Sequence, residues 1–149
     1  MDYGKIKKSV TDLIEKCGSS DPFKIAKHLG CNIIYADLSD ENFAFKVNSN
    51  RCTTIVLNEN KSEEEHRYSC AHEIIHVLFH KGVNTPFLRK QVDGLGIPRM
   101  EKEANFGAFV MLTTNLDADC ISYYTKSQLL RAVGLSSEFE CFIERDFLD

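Results

Sequence analysis

Ser62-Glu63-Glu64-Glu65-His66-Arg67-Tyr68-Ser69-Cys70-Ala71-His72-Glu73-Ile74-Ile75-His76-Val77-Leu78-Phe79-His80 is the stretch on which the reading of the chain turns. It opens as a helix. Ser62 can cap the first turn, Glu65 can return a hydrogen bond, and three carboxylates lie at the positive end of the helix dipole. Cys70, Ala71, Ile74, Ile75, Val77, Leu78 and Phe79 then make the segment apolar on most of its faces, as in a buried helix. Into this apolar surround fall His72, Glu73 and His76, an HExxH pattern. Residues four apart on a helix are offset by about 40° and rise roughly 6 Å. Both imidazoles therefore point the same way and can close on one ion at about 2.0–2.1 Å. Glu73 projects beside them and can reach a water on the metal without filling a coordination position. A zinc ion lowers the pKa of that water towards about 7, and the carboxylate can then accept its proton. The plain alternative is a pair of hydrogen-bonded core histidines in a motif that arose by chance. Burying two histidines and a glutamate among apolar residues is costly unless something such as a cation compensates them.

A working zinc site needs a third ligand and an open fourth position. A metzincin would place its third histidine six residues after His76, where this chain has Gly82. A second helical run, from about Arg99 to Leu112, offers Glu101 and Glu103 ahead of the apolar stretch Phe106 to Leu112. Glu101 and Asn105 are four apart and share a face. Glu101 can ligate zinc while Asn105 holds the free ring N–H of a ligand histidine. The alternative for Glu101 is an ordinary first-turn acid favoured by the helix dipole. Glu103 falls on a different face and is expected to meet solvent. His80 lies one turn beyond His76. Three residues spread along one straight helix converge poorly on one ion, so His80 reads as a pocket wall or a partner behind a ligand. Tyr68, one turn before His72, is a candidate for steadying the oxyanion, against the simpler reading of a packed aromatic. His28 and His66 lack ligand spacing.

On the N-terminal side, Ile6, Val10, Leu13 and Ile14 mark an amphipathic helix over residues 5 to 16. Asp21 and Pro22 start a second helix, Phe23 to Leu29, which stops at Gly30. Cys31 to Leu38, Phe43 to Val47 and Thr53 to Leu57 are short and rich in β-branched and aromatic residues, and predict three strands of one mostly antiparallel sheet. Lys81 to Pro98 carries Gly82, Pro86, Gly94, Gly96 and Pro98 and reads as a long loop. Helical stretches near Lys126 to Val133 and Ser137 to Phe147 close the chain. The expected fold class is α+β: a small, mostly antiparallel three-stranded sheet packed against a helical core, with a zincin-like active-site helix. One domain spans 1–149, with a helical part at 1–30, the sheet at 31–58, the active-site helices at 62–112 and a C-terminal helical pair at 117–149.

Hydrophobic residues make up 43% of the chain and charged residues 27%, which excludes wholesale disorder. The formal net charge of −4 gives phosphate no basic face, so direct nucleic-acid binding is not expected. Lys126 to Ser136 looks loosely like the start of a helix-turn-helix, but Glu138, Glu140, Glu144 and Asp146 would repel DNA, and a pair packing on the core is the better reading. No apolar stretch is long enough for a bilayer, and Met1 to Lys5 does not begin a signal peptide. A cytoplasmic location is expected. The 6 cysteines show no CxxC pair and read as reduced thiols, most of them buried.

The motif residues carry a family resemblance. Arg67-Tyr68, then Ala71-His72-Glu73-Ile74-Ile75-His76, Leu78 and His80, then Asn84-Thr85-Pro86-Phe87 and Glu101-Lys102-Glu103-Ala104-Asn105-Phe106-Gly107-Ala108 resemble the ImmA/IrrE family of metallopeptidases. The likeness covers roughly residues 20 to 115. It implies one Zn2+ held by His72, His76 and Glu101, with Glu73 as general base, matching the spacing argument for Glu101. Family members are typically encoded by phages and mobile elements, or act in stress responses, and cut a partner repressor of the helix-turn-helix type. The family's Leu-Leu-Met-Pro-like ending of the second helix is replaced here by Val110-Met111-Leu112-Thr113-Thr114, which bears on the chain path after residue 112 and not on the metal residues. The function expected is a zinc endopeptidase acting on such a repressor. The competing reading is a zinc-containing anti-repressor that sequesters its partner without cutting it. A closed structural zinc site fits less well, since such sites take four Cys or His ligands. Oligomeric state is open.

Overall fold

The computed structural model describes residues 3–81, 88–89, 99–116 and 123–143. Along the chain run α1 (Tyr3–Cys17), α2 (Pro22–His28), β1 (Asn32–Ala36), β2 (Asn42–Ser49), β3 (Cys52–Asn58), α3 (Glu63–Phe79), β4 (Leu88–Arg89), α4 (Arg99–Thr113), α5 (Lys126–Ala132), a 3-10 turn at Ser137–Phe139 and α6 (Glu140–Ile143). The architecture is α+β, a small sheet against a helical core.

The sheet is mixed and has a fourth short strand, which corrects the three-stranded expectation. Its order is β1-β3-β2-β4. β2 runs antiparallel to both β3 and β4, whereas β1 runs parallel to β3, with Ile33 opposite Ile55 and Tyr35 opposite Leu57. The β2–β3 hairpin closes through Asn50 and Arg51, whose φ values of 52° and 67° suit a tight turn. β1 joins that hairpin on the β3 side, leaving the β2 side to β4. Alternation of apolar and polar residues marks a strand but does not name its neighbour. β4 lies inside the segment expected to be a loop; the rest of 81–98 is outside the described residues.

α3 is fixed at its start by the expected capping box. The Ser62 hydroxyl accepts from Glu65 N at 3.1 Å, and Glu65 Oε1 accepts from Ser62 N at 3.1 Å. From Ser69 to His76 every residue is buried. The sheet covers one side through β2 and β3, and α2 and α4 pack on others. α4 is itself packed between α3 and α1. α3 and α4 approach closely at Gly107, where a Cβ would lie 2.6 Å from Cγ1 and Cδ1 of Ile75. Gly107→Val is therefore expected to destabilise the fold by about 1–3 kcal/mol through overpacking. Urea unfolding followed by circular dichroism measures this, and an unchanged midpoint would show that the helices part easily there.

α4 ends without the proline of the resembling family. The Thr113 and Thr114 hydroxyls instead donate to the carbonyls of Phe109 and Val110, at 2.7 and 2.6 Å. The C-terminal helices pack on the core through Leu129, Leu130, Leu135, Phe139, Phe142 and Ile143, all buried. Their expected extensions over 117–122 and 144–149 are outside the described residues. Five described cysteines are outside any disulfide; Cys70 is buried, Cys17 and Cys31 are half-buried, and Cys52 and Cys141 are exposed. Most cysteines are thus not core residues, because Cys52 opens a strand beside a turn and Cys141 faces outward on α6. Among the described residues no helix is long and apolar enough to cross a membrane.

Candidate metal centre

Three side chains from two helices meet at one point. His72 Nε2 lies 3.0 Å from Glu101 Oε2, and His76 Nε2 lies 3.0 Å from Glu101 Oε1. The two Nε2 atoms are 3.2 Å apart. The histidines are fully buried, whereas the Glu101 side chain keeps 14% exposure and opens the site to solvent. These separations test whether a metal fits. Ligand atoms at 2.0–2.1 Å from a tetrahedral zinc stand about 3.3 Å apart along each edge. The observed separations of 3.0, 3.0 and 3.2 Å, with each histidine facing a different Glu101 oxygen, come close to that length, and the donors are the nitrogen and oxygen types that zinc takes. Among the described residues, His72, His76 and Glu101 form the one such cluster.

Each histidine is held from behind. His72 Nδ1 faces Asn105 Oδ1 at 2.9 Å, and the same oxygen accepts from the Tyr68 hydroxyl at 2.8 Å. Tyr68 packs edge-on against Phe139. Its hydroxyl thus bears on Asn105, the neighbour of His72. His76 Nδ1 faces His80 Nδ1 at 2.8 Å. Glu73 is fully buried on the same helix, next to His72 in sequence.

The electrostatics follow from burial and pairing. Burial alone would raise the Glu101 pKa, but hydrogen bonds from His72 and His76 outweigh it and hold the carboxyl well below the usual range. Burial pulls His76 down to about 4, only partly opposed by Glu101, so the ring is neutral near pH 7 with a lone pair to offer. Burial also works against protonation of His72, but Glu101, Glu73 and Asn105 together overcome it and raise its pKa. Binding of a metal here would compete with protonation of its ligands.

Two residues of the site escaped the sequence reading. Glu103, expected in solvent, is buried at 4% exposure, with Oε1 3.2 Å from His80 Nε2. The expectation compared Glu103 only with Glu101, while α4 is covered on two sides and the end of α3 supplies a partner. Lys46 on β2 is 1% exposed, donates to the His80 carbonyl at 3.3 Å, and feels the charge of Glu73. Burial lowers its pKa, against the raising influence of Glu73 and Cys31. Its signal was legible: Ala44 and Lys46 share the inward register of β2, an unusual place for a lysine. His66, without ligand spacing, ties α3 to β3 through a 2.7 Å contact of Nε2 with the Asn58 carbonyl.

A buried helix with HExxH spacing, answered by a glutamate from a second helix, is the arrangement of a metallopeptidase-type enzyme. The sequence pattern of the Peptidase M78 family, described as the IrrE N-terminal-like domain, matches residues 26–142, and the chain belongs to this family. The match reaches further toward the C-terminus than the resemblance noted from the motifs. The chain is also 33% identical over 110 residues to the "Uncharacterized immunity region protein 2" of Bacillus phage phi105, covering 74% of this chain and 69% of that protein.

Proposed function

We propose that this protein is a zinc-dependent endopeptidase that hydrolyses a peptide bond in a helix-turn-helix repressor of a phage or mobile element, in the cytoplasm. The observation that carries the reading is the triangle of His72 Nε2, His76 Nε2 and the Glu101 carboxylate, with edges of 3.0, 3.0 and 3.2 Å. Membership of the M78 peptidase family supports the enzyme class. The description of the phi105 relative as an immunity-region protein supports a partner that keeps a phage element silent.

His72, His76 and Glu101 would hold one zinc ion, which supplies a Lewis acid that activates water and polarises the scissile carbonyl. Glu73 takes the proton from the attacking water at its carboxylate and returns it to the leaving amine nitrogen. Asn105 accepts the Nδ1–H of His72 and so leaves the Nε2 lone pair aimed at the site. Tyr68 fixes Asn105 in turn. The substrate segment lies across the cleft as an added strand, so main-chain hydrogen bonds align the scissile bond.

The direct test incubates the zinc-loaded protein with candidate helix-turn-helix repressors of phage and mobile elements and follows intact mass. Two fragments whose masses sum to the repressor plus one water are expected, and a chelator should stop their appearance. Candidate repressors that all stay whole at equimolar enzyme would refute the endopeptidase reading.

A further inference from the structure

We infer that Glu103 is a positioning residue for the metal centre, acting through His80 on His76. The inference rests on the metal-site reading above and extends it to a carboxylate that does not touch the site.

The argument follows the ring nitrogens. His76 presents Nε2 to the triangle it shares with His72 and Glu101. A neutral imidazole that gives its Nε2 lone pair to an ion carries its proton on Nδ1. That Nδ1 lies 2.8 Å from His80 Nδ1, so it donates and His80 Nδ1 accepts. His80 then carries its own proton on Nε2. This nitrogen faces Glu103 Oε1 at 3.2 Å, and the carboxylate accepts. Every proton in the row Glu103–His80–His76 has one place to sit. Both outer members are buried: His80 is 8% exposed and Glu103 4%. The negative charge at the far end favours the tautomers that leave the lone pair of His76 aimed inward, and raises its basicity as a ligand.

The two ligand histidines are thus held differently. His72 rests on a neutral amide, Asn105, while His76 rests on a carboxylate at one remove. The fixed Cα positions account for this. Asn105 on α4 reaches His72 directly, whereas the end of α3 interposes His80 between His76 and α4.

The test compares zinc dissociation constants, measured by competition with a chromophoric chelator, for wild type, Glu103→Gln, His80→Phe and the double variant. Glu103→Gln keeps the shape and removes the charge. It should weaken zinc binding by about 10- to 100-fold, as outer partners of metal ligands typically do. Because the relay runs through His80, the double variant should bind no more weakly than His80→Phe alone. Visible spectra of the cobalt-substituted proteins should shift in the same grouping. A Glu103→Gln affinity within twofold of wild type, or single effects that multiply in the double variant, would overturn the relay while leaving the metal site standing. Wild type with no affinity for zinc would instead remove the metal-site reading, and the relay with it. Nitrogen-15 spectra of the zinc-loaded wild type give a check independent of any variant. The His80 ring should carry its proton on Nε2, and a proton on Nδ1 would contradict the inference.

Discussion

Glu73→Gln should leave zinc bound and cut the cleavage rate by about 10²–10⁴-fold, the usual contribution of a positioned general base. The substitution removes one charge and almost no volume. Glu73 lies wholly inside α3, whose neighbours Ile74 and Ile75 are fully buried, so the fold has little reason to change. The proposed ligands His72, His76 and Glu101 keep their mutual contacts. What disappears is a carboxylate able to take a proton; an amide cannot serve. The same variant separates the two readings of function. A protein that relieves repression by sequestering its partner would keep full activity as Glu73→Gln, whereas an endopeptidase would bind the intact repressor and stall. Metal analysis beside a timed digestion decides between them. A variant that cleaves at the wild-type rate would remove Glu73 from the chemistry.

Removing Glu101 should have the opposite signature: the ion is lost and activity goes with it. Glu101 bridges the site, one oxygen to each histidine at 3.0 Å. Glu101→Ala leaves two neutral nitrogens on one helix and no charge to offset a divalent cation. The loss should exceed the roughly 10- to 100-fold typical of residues one step removed from a metal. His72→Ala should behave in the same way. Plasma emission spectrometry after dialysis gives the zinc content directly, and Glu101→Ala retaining one full equivalent would exclude it as a ligand. The neighbouring Glu103→Ala provides no shortcut to this answer, because its carboxylate faces His80 and not the triangle.

Local signals carried much of this structure. Ser62 and Glu65 announced the start of α3, and the box forms as written. Asp21 and Pro22 start α2, with the Asp21 side chain accepting from Phe23 N at 3.0 Å, and Gly30 ends that segment at φ +78°. Such features depend on neighbours within a turn, so sequence order preserves them. The shared face of His72 and His76 was legible for a related reason, since helical spacing sets it; Glu101 was reached instead from the site's need for a third ligand and from the family resemblance. What escaped depends on how elements meet. The parallel seat of β1 beside β3 is a choice among sheet edges that alternation alone does not make. Glu103 looked exposed because a helical wheel compares residues on one helix, while α4 is enclosed from two sides. The inward place of Lys46 could be read from the register of β2, but not its partners, since His80 and Glu73 lie on another element.

The proposed ligands lie on two helices, so a bound ion would couple the folded state to metal supply. An ion held by all three residues pins α3 to α4 across the intervening segment, and ligand at a thousand times its dissociation constant adds about 4 kcal/mol to the folded state. A cell rich in zinc would keep the protein intact, and one short of it would loosen the α3–α4 seam and expose the chain to its own housekeeping proteases.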